Sequence, residues 1–194
     1  MQELSGRQTQ IIDTSIKIIS ERGIQELTMK NLSRELGISE PAIYRHFENK
    51  QKILIAVLES FKHQNTLINK SIPLEGKTEF QHLQGAITRI LQKFIKNPAI
   101  SAVIFSEEIF QNKTELSEMI LSIMNSNAEF VAKLVQNGQA DKSIRSDIGV
   151  EELSVIVMGS VRHLVTVWRL SGFSFDLYEH GMKLLKSLEL MIGT

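Results

Sequence analysis

The sequence predicts an all-α protein of about nine helices. Apolar residues recur three and four positions apart in one segment after another, which is the spacing of the buried face of a helix. Glycine, proline or a helix-capping side chain separates these segments at short intervals. No segment alternates convincingly between apolar and polar residues, as a strand with one buried face would. Helices packed against helices are therefore the expected architecture.

The first helix is predicted from about Ser5 to Arg22. Its apolar residues Ile12, Ile16 and Ile19 fall on one face. Gly23 is expected to end it, because glycine directly after the last periodic residue is a common stop signal for a helix.

Two short helices joined by a tight turn are predicted within the stretch Leu27–Ile53. Thr28 can cap the first of them with its side chain. Gly37 can end that helix in the left-handed conformation, which glycine enters without a steric penalty. Ser39 can cap the second helix. Pro41 falls in the first turn of this second helix, where its missing N–H costs no hydrogen bond.

The second short helix is predicted to have an apolar side and a polar side. Ile43 and Phe47 point back towards the first short helix. The residues left facing outwards are Glu40, Ala42, Tyr44, Arg45 and His46. Two short helices with this turn and this exposed face are typical of a helix-turn-helix, which places its second helix in the major groove of DNA.

The chain resembles the TetR family of bacterial transcriptional repressors. The matching residues are Ile24, Leu27–Thr28, the turn Leu36–Ser39, the string Ala42–Phe47 and Lys50. A helix-turn-helix alone is a weak signal, but the upstream amphipathic helix and the Tyr-x-His-Phe string followed by a lysine make it strong. The resemblance implies a DNA-binding domain at residues 1–49 and a helical effector-binding and dimerisation domain at residues 50–194.

The resemblance also implies nine DNA-contacting positions, which are Thr28, Ser39, Glu40, Pro41, Ala42, Tyr44, Arg45, His46 and Lys50. Tyr44 can offer its hydroxyl to a phosphate and its ring to a thymine methyl, and His46 can donate to a phosphate. Arg45 can reach a guanine edge or the DNA backbone. The charge of Lys50 and the free N–H groups of the helix it begins would face one phosphate. As ordinary surface residues, these side chains would need no special explanation.

Charge composition leaves two points open. Residues 1–63 carry nine Lys and Arg against eight Asp and Glu, so DNA binding would depend on where the cations lie and not on bulk charge. Glu40 carries a carboxylate, which repels phosphate and is better suited to accept from a cytosine amino group. The role of Glu40 is therefore not assigned.

Several classes of protein are disfavoured by the sequence. The absence of cysteine excludes disulfides and thiolate zinc sites. Glu59 and His63 lie four residues apart, but such a pair is more often a solvated helix pair than a metal site, so neither a metal nor another cofactor is expected. No glycine-rich phosphate loop, nucleophile elbow or carboxylate cluster indicates an enzyme. No apolar run reaches the ~18 residues of a membrane span, and no signal peptide is evident, so we expect a cytoplasmic protein.

Six further helices are predicted after the helix-turn-helix. They are Lys50 to about Lys70, Thr78–Lys96, Ala99 to about Phe110, a helix capped by Thr114, Val150–Ser171 and Phe175–Ile192. The segment Asn137–Asp147 is rich in polar and turn-forming residues and is predicted to be a loop.

The last two predicted helices are unusually apolar. Val155, Ile156, Met158 and Val165 lie beside the stripe that begins at Leu153. Either these helices form the core of their own subunit, or they pack against the same two helices of a second subunit. The resemblance favours a homodimer through about 150–171 and 175–192.

Polar residues within the apolar central helices are the candidates for an effector site. The predicted ligand-binding residues are Arg89, Phe105, Glu108, Met124, Asn125, Arg162 and His163. If Arg162 and His163 face a cavity, an anionic head group is their natural partner. The apolar residues near them are equally well explained as core.

These observations predict a repressor that binds double-stranded, palindromic operator DNA as a dimer and is released by a small-molecule effector of unknown identity. Effector binding would change the separation of the two DNA-binding heads through the connecting helix Lys50–Lys70. Two alternatives remain. One is a DNA-anchored structural protein that binds a protein partner and has no small-molecule pocket. The other is a ligand carrier with a vestigial helix-turn-helix.

Overall fold

The computed structural model describes residues 4–69, 76–105 and 115–194, with the side chains of all of these except residues 61–69. Within these ranges the chain forms nine α-helices, and the only strand-like pairing there is a bridge between Ile144 and Gly193. The helices are α1 Gly6–Arg22, α2 Met29–Leu36, α3 Glu40–Tyr44, α4 Lys50–Asn69, α5 Glu79–Lys96, α6 Pro98–Ile104, α7 Glu115–Ala140, α8 Val150–Leu170 and α9 Leu177–Ile192, with a 3-10 turn at Ile24–Glu26. The predicted all-α class is confirmed. The predicted helix from Ala99 to about Phe110 is wrong at its end, because α6 stops at Ile104 and Phe105 leaves the helical conformation with φ -105° and ψ 18°. The predicted helix end at Lys70 and the predicted cap at Thr114 lie outside the described residues.

The helices divide into two compact units. The first contains α1 to α4, α6 and the start of α7, and the second contains α5, the rest of α7, α8 and α9. These units are defined by compactness. The division into a DNA-binding domain at 1–49 and an effector-binding domain at 50–194 stays a prediction.

Helix α1 lies at the centre of the first unit, against α2, α4 and α6. Because it is covered on several sides, its buried face is wide and includes Ile11, Ile18 and Ile19. Ser15 is also fully buried, and its hydroxyl donates to the carbonyl of Ile11 at 2.7 Å. Of the predicted stripe, Ile12 and Ile19 are buried and Ile16 is half-buried.

Local signals set the ends of α1 and α2 as predicted. The Ser5 hydroxyl accepts from the Gln8 N–H, and the Gln8 side chain accepts from the Ser5 N–H, which forms a capping box. The Thr28 hydroxyl accepts from the N–H of Asn31 at 3.1 Å. Gly37 ends α2 with φ 65° and ψ 30°, the left-handed conformation expected for glycine.

The turn between α2 and α3 closes by hydrogen bonds to the last carbonyls of α2. The Ile38 N–H donates to the Ser33 carbonyl at 3.1 Å, and the Gly37 N–H donates to the Arg34 carbonyl at 3.4 Å. This is the Schellman arrangement. Pro41 lies in the first turn of α3 as predicted, but the Ser39 side chain makes no capping hydrogen bond.

In the second unit, α5 packs on α8 and α9, and α8 packs on α9. The α5–α9 contact is close at Gly181, where an added Cβ would lie 2.2 Å from a methyl carbon of Leu91. Glycine at this position therefore lets the two helices approach.

Helix α7 continues to Ala140, beyond the predicted start of the loop at Asn137. Gly138 is accommodated because the side chain of Ile144 folds over it, at 2.5 Å from where a Cβ would be. The Gln139 side-chain amide donates to the carbonyls of Arg145 and Ile148, at 3.0 Å and 2.8 Å. These contacts with the following loop extend the helix past residues that locally favour a turn.

Helix α8 is long and apolar enough to cross a membrane by length and composition alone, contrary to the prediction that no segment is. The mean hydropathy of its most apolar 18-residue window is 1.3, and 28% of that window is buried. A core helix of a soluble protein passes the same test, so this is weak evidence for a span. Inside the second unit, Leu153, Val157 and Val165 of α8 are fully buried.

Candidate nucleic-acid interface and effector site

The predicted DNA-contacting residues are all at least partly exposed. Tyr44 is 50% exposed on α3, whereas Ile43 and Phe47 are buried beneath it at 0% and 7%. The prediction that Ile43 and Phe47 belong to the core is confirmed. The exposed residues are Thr28, Ser39, Pro41, Tyr44 and Arg45, and the half-exposed ones are Glu40, Ala42, His46 and Lys50. The structure thus leaves all nine predicted DNA-contacting residues accessible, with those of α3 above the buried Ile43 and Phe47.

Side-chain contacts fix helix α2, on which α3 packs. The Arg22 guanidinium of α1 donates to the Glu35 carboxylate of α2 at 2.6 Å. That hydrogen bond, and then the charge of Arg22, lowers the pKa of the Glu35 carboxyl from its ordinary value. The Asn31 amide of α2 donates to the Glu26 carbonyl of the 3-10 turn at 2.8 Å. Helix α2 is therefore tied to the elements on its N-terminal side.

Lys50 has a structural contact that the sequence does not predict. Its ammonium donates to the carbonyl of Ile24 at 2.9 Å, which joins the first turn of α4 to the 3-10 turn. An ammonium carries three donors, so a further bond to a phosphate is chemically compatible with this contact. A substitution of Lys50 would loosen the joint as well as remove a charge.

The hydroxyls beside α3 are suited to donate to a phosphate. The Thr28 oxygen accepts the Asn31 N–H, so its own proton remains available to an acceptor outside the helix. Ser39 is exposed, and its hydroxyl makes no capping bond.

Glu40 lies in the first turn of α3, where a carboxylate interacts favourably with the partial positive charge of a helix N-terminus. This local stabilisation explains an acidic residue at Glu40 without a DNA contact.

Two of the predicted effector residues, Arg162 and Met124, lie in contact with each other. The Arg162 guanidinium of α8 lies 3.9 Å from the Met124 sulfur of α7, so these two are brought together. Asn125 and His163 are exposed, and their proposed role in ligand binding stays a prediction. Each lies on the side of its helix that the second unit leaves uncovered. Glu108 lies outside the described residues.

The remaining two candidates lie in different units. Arg89 is half-buried on α5 in the second unit, and Phe105 is half-buried directly after α6 in the first. An open cavity of about 400 Å³ in the first unit is lined by Leu4, Thr9, Ile12, Asp13, Ile16, Ser60 and Asn97. None of the predicted effector residues is among these.

Sequence reasoning missed Lys93, one turn after Arg89 on α5. Lys93 is half-buried, and this burial lowers the pKa of its ammonium from 10.5 to about 8. The signal available in the sequence was the four-residue spacing of Arg89 and Lys93, which places two cations on one face of α5. Spacing alone does not reveal burial.

Among the residues that the structure describes, no three His, Asp or Glu side chains are placed to hold a metal ion. The closest arrangement is His82, whose Nδ1 atom lies 3.3 Å from the Glu79 carboxylate. The side chain of His63 lies outside the described residues, so its predicted pairing with Glu59 is not described.

Family models match both parts of the chain. Residues 11–57 match "Bacterial regulatory proteins, tetR family". Residues 50–192 match the TetR-type model "YsiA-like protein, C-terminal region". The chain belongs to the TetR family. It is therefore a DNA-binding transcriptional regulator, and regulators of this family bind operator DNA and small-molecule ligands, typically as dimers.

Two curated relatives of this TetR-family chain differ in described role. The fatty acid metabolism regulator protein of Bacillus subtilis is 22% identical over 177 residues, covering 91% of this chain and 91% of that protein. The nucleoid occlusion factor SlmA of Glaesserella parasuis is 30% identical over 181 residues, covering 90% of this chain and 86% of that protein.

Solved structures share the TetR fold over almost the whole chain. The ketosteroid transcriptional regulator KstR2 of Mycobacterium tuberculosis has a TM-score of 0.80 at 15% identity and covers 99% of this chain and 97% of that one. The transcriptional regulator FadR of Bacillus subtilis, in complex with stearoyl-CoA, has a TM-score of 0.76 at 21% identity. It covers 93% of this chain and 96% of that one.

Proposed function

We propose that this TetR-family protein is a cytoplasmic, one-component repressor that binds a palindromic operator as a homodimer and is released by a small-molecule effector. The observation that carries the proposal is the polar outer surface of α3, which rests on the buried side chains of Ile43 and Phe47. A helix held in this way can enter the major groove without disturbing its own core.

The DNA-contacting residues divide by chemistry. Tyr44 at the end of α3 and Arg45 directly after it are exposed and have the reach to contact base edges. Thr28, Ser39, His46 and Lys50 offer donors to phosphates, which would fix the register of α3 on the duplex. Pro41 and Ala42 are small enough to let α3 approach the bases. Glu40 is better explained by the N-terminus of α3 than by DNA.

Dimerisation through α8 and α9 is supported by their exposed apolar side chains. Val155, Leu170 and Leu190 are 71%, 71% and 80% exposed, and Ile156, Val167, Tyr178, Met182 and Met191 are also exposed. On α8, residues 156, 159, 163, 167 and 170 repeat along one side, away from the buried Val157 and Val165. Monomers rarely expose so extended an apolar surface, and two helices from each subunit would form a four-helix interface.

Gly159 lies within this exposed side of α8. An added Cβ at Gly159 would meet nothing within 4 Å in its own chain, so the space above it is open to a partner helix. A glycine at the crossing point lets two helix backbones approach closely.

The effector we propose is an amphipathic molecule with a long acyl chain and an anionic head group, with a fatty acyl-CoA as its leading representative. The FadR structure in complex with stearoyl-CoA supports this class, as does the fatty acid metabolism regulator among the relatives. Arg89 and Arg162 are half-buried cations in the second unit and suit an anionic group. Met124, in contact with Arg162, is suited to an acyl chain.

Fluorescence anisotropy on DNA from upstream of the protein's own gene tests the proposal, with a scrambled duplex beside it at several salt concentrations. We expect saturable preference for the upstream DNA and its loss on addition of stearoyl-CoA. Tyr44→Ala and Arg45→Ala should remove the preference, whereas Lys133→Ala, on the exposed surface of α7, should not. Equal, salt-sensitive binding of both duplexes would leave only the sequence-independent electrostatic attraction and would refute the proposal.

The second candidate is a DNA-anchored structural protein that binds a protein partner. The observation that favours it is the 30% identity with a nucleoid occlusion factor. Such a protein would bind sites dispersed over the chromosome, and acyl-CoA would neither release it from DNA nor raise its melting temperature. A chromosome-wide map of binding sites, together with a thermal shift against acyl-CoA, separates the two functions.

A further inference from the structure

We propose that Arg89 and Lys93 of α5 form the subsite that binds the anionic group, a phosphate or a carboxylate, of the effector. This inference rests on the proposed effector-responsive function. It names the two side chains that hold the charged end of the ligand.

The two cations are placed side by side along α5. They lie four residues apart, on one face of the helix, and both are half-buried. An added Cβ at Gly85 would lie 3.4 Å and 4.0 Å from the two terminal nitrogens of Arg89. The guanidinium therefore lies back along the helix over Gly85. Long side chains on a helix lean towards its N-terminus, so the Lys93 stem runs in the direction of Arg89.

Neither cation has an acidic partner among the side chains that the structure describes. Within the described side chains, Arg89 and Lys93 take part in no hydrogen bond or ion pair, whereas Arg22, Lys52, Arg145 and Lys183 each pair with a carboxylate. Two like charges at this spacing repel each other, and burial without a partner adds a desolvation cost. A bound anion would offset both costs at once.

The state of Lys93 agrees with this assignment. Burial lowers the pKa of its ammonium to about 8, so at neutral pH it is still largely protonated but poorly hydrated. A cation that has already lost part of its hydration binds an anion with less further desolvation. The carbonyls at the C-terminus of α5 favour a cation in its last turn, but they do not account for Arg89, which lies a turn earlier.

Two described acidic groups lie at the N-terminal end of α5. The Asp141 carboxylate accepts from the N–H of Glu79 at 2.8 Å, and Glu79 itself contacts His82. These carboxylates begin the helix, whereas Arg89 and Lys93 lie in its second half. The arrangement leaves the positive charge of the second half uncompensated.

Isothermal titration calorimetry on the full chain tests the proposal, with pyrophosphate, coenzyme A, stearate and stearoyl-CoA as separate probes. Lys93→Met removes the charge and keeps the stem, and Lys93→Arg keeps the charge. Lys96→Met, at an exposed position of the same helix, is the matched control. We expect Lys93→Met and Arg89→Met to weaken anion binding at least about tenfold, and Lys93→Arg and Lys96→Met to change it less than about threefold. Unchanged operator binding without effector shows that each variant is folded.

Each outcome bears on the subsite. Lys93-dependent binding of coenzyme A or pyrophosphate identifies a phosphate as the anion, and Lys93-dependent binding of stearate identifies a carboxylate. Binding of stearoyl-CoA that Lys93→Met and Arg89→Met leave intact overturns the subsite, although the proposed repressor function stands. Failure of the wild type to bind any probe also overturns it. Failure of the wild type to prefer its operator refutes the proposed function instead and is measured on DNA alone.

Discussion

Replacing Lys93 by methionine should make the protein more stable at neutral pH. The lysine is a half-buried, unpaired cation on α5, and methionine keeps most of its length while removing the charge. A pKa lowered from 10.5 to about 8 corresponds to about 3.4 kcal/mol, at about 1.36 kcal/mol for each unit of pKa. Since the side chain keeps part of its surface in water, screening reduces this figure, and we expect a gain of about 1–2 kcal/mol.

The gain should depend on pH in a defined direction. Below pH of about 8 the wild-type lysine is charged in the folded and unfolded states, so the folded protein carries the full cost. Between about 8 and 10.5 the folded lysine is neutral while the unfolded one still binds a proton, so wild-type stability rises with pH. Above that window both states are neutral, and the advantage of methionine should disappear.

Urea denaturation of the wild type, Lys93→Met and Lys96→Met measures this effect, at one protein concentration and across this pH range. Lys96 is exposed, so its replacement should change the free energy of unfolding by no more than about 0.5 kcal/mol. A Lys93→Met protein less stable than the wild type at neutral pH would refute the reasoning. So would a gain that persists unchanged in alkaline solution.

Three further predictions concern the helix-turn-helix and the dimer. Gly37→Ala should lower the free energy of unfolding by about 1–2 kcal/mol in urea, because alanine pays for the left-handed conformation at φ 65°. Ile43→Ala should cost about 2–5 kcal/mol by the same measurement, because it leaves a cavity beneath α3. Leu170→Glu should convert the dimer to a monomer in light scattering and weaken operator binding, because Leu170 is 71% exposed on the proposed interface. Urea midpoints of Gly37→Ala and Ile43→Ala equal to that of the wild type would contradict the first two predictions. A Leu170→Glu protein that remains a dimer would contradict the third.

The helix-turn-helix was predictable because its determinants are local. Thr28 and Gly37 act on backbone groups within a few residues of themselves, and Pro41 acts within its own helical turn. The inward placement of Ile43 and Phe47 follows from helical spacing alone. Ser39 departs from its expected capping role because its preference for that position does not guarantee a side-chain hydrogen bond.

The effector residues were harder to predict because their roles depend on contacts between distant segments. His163 and Arg162 are neighbours in sequence, but a helix turns about 100° between them, so one is exposed while the other meets Met124. The burial of Lys93 is likewise a property of packing around α5. Helix α7 continues through Asn137 and Gly138, which locally favour a turn. It does so because the side chain of Ile144 packs on Gly138 and the Gln139 amide donates to the carbonyl of Arg145, so that the following loop lies against the helix.

The hydrogen bond from Lys50 to the Ile24 carbonyl links the start of α4 to the 3-10 turn before α2. We therefore expect a rotation of α4 to move α1, α2 and α3 together with it, without changing how these three helices pack on one another. In a dimer, such a rotation alters the distance between two intact heads. We therefore expect the affinity for DNA to depend on the distance between the two half-sites of the operator in the same way as it depends on the effector. Lengthening or shortening the centre of the operator by one base pair should either weaken binding as the effector does or restore binding in its presence.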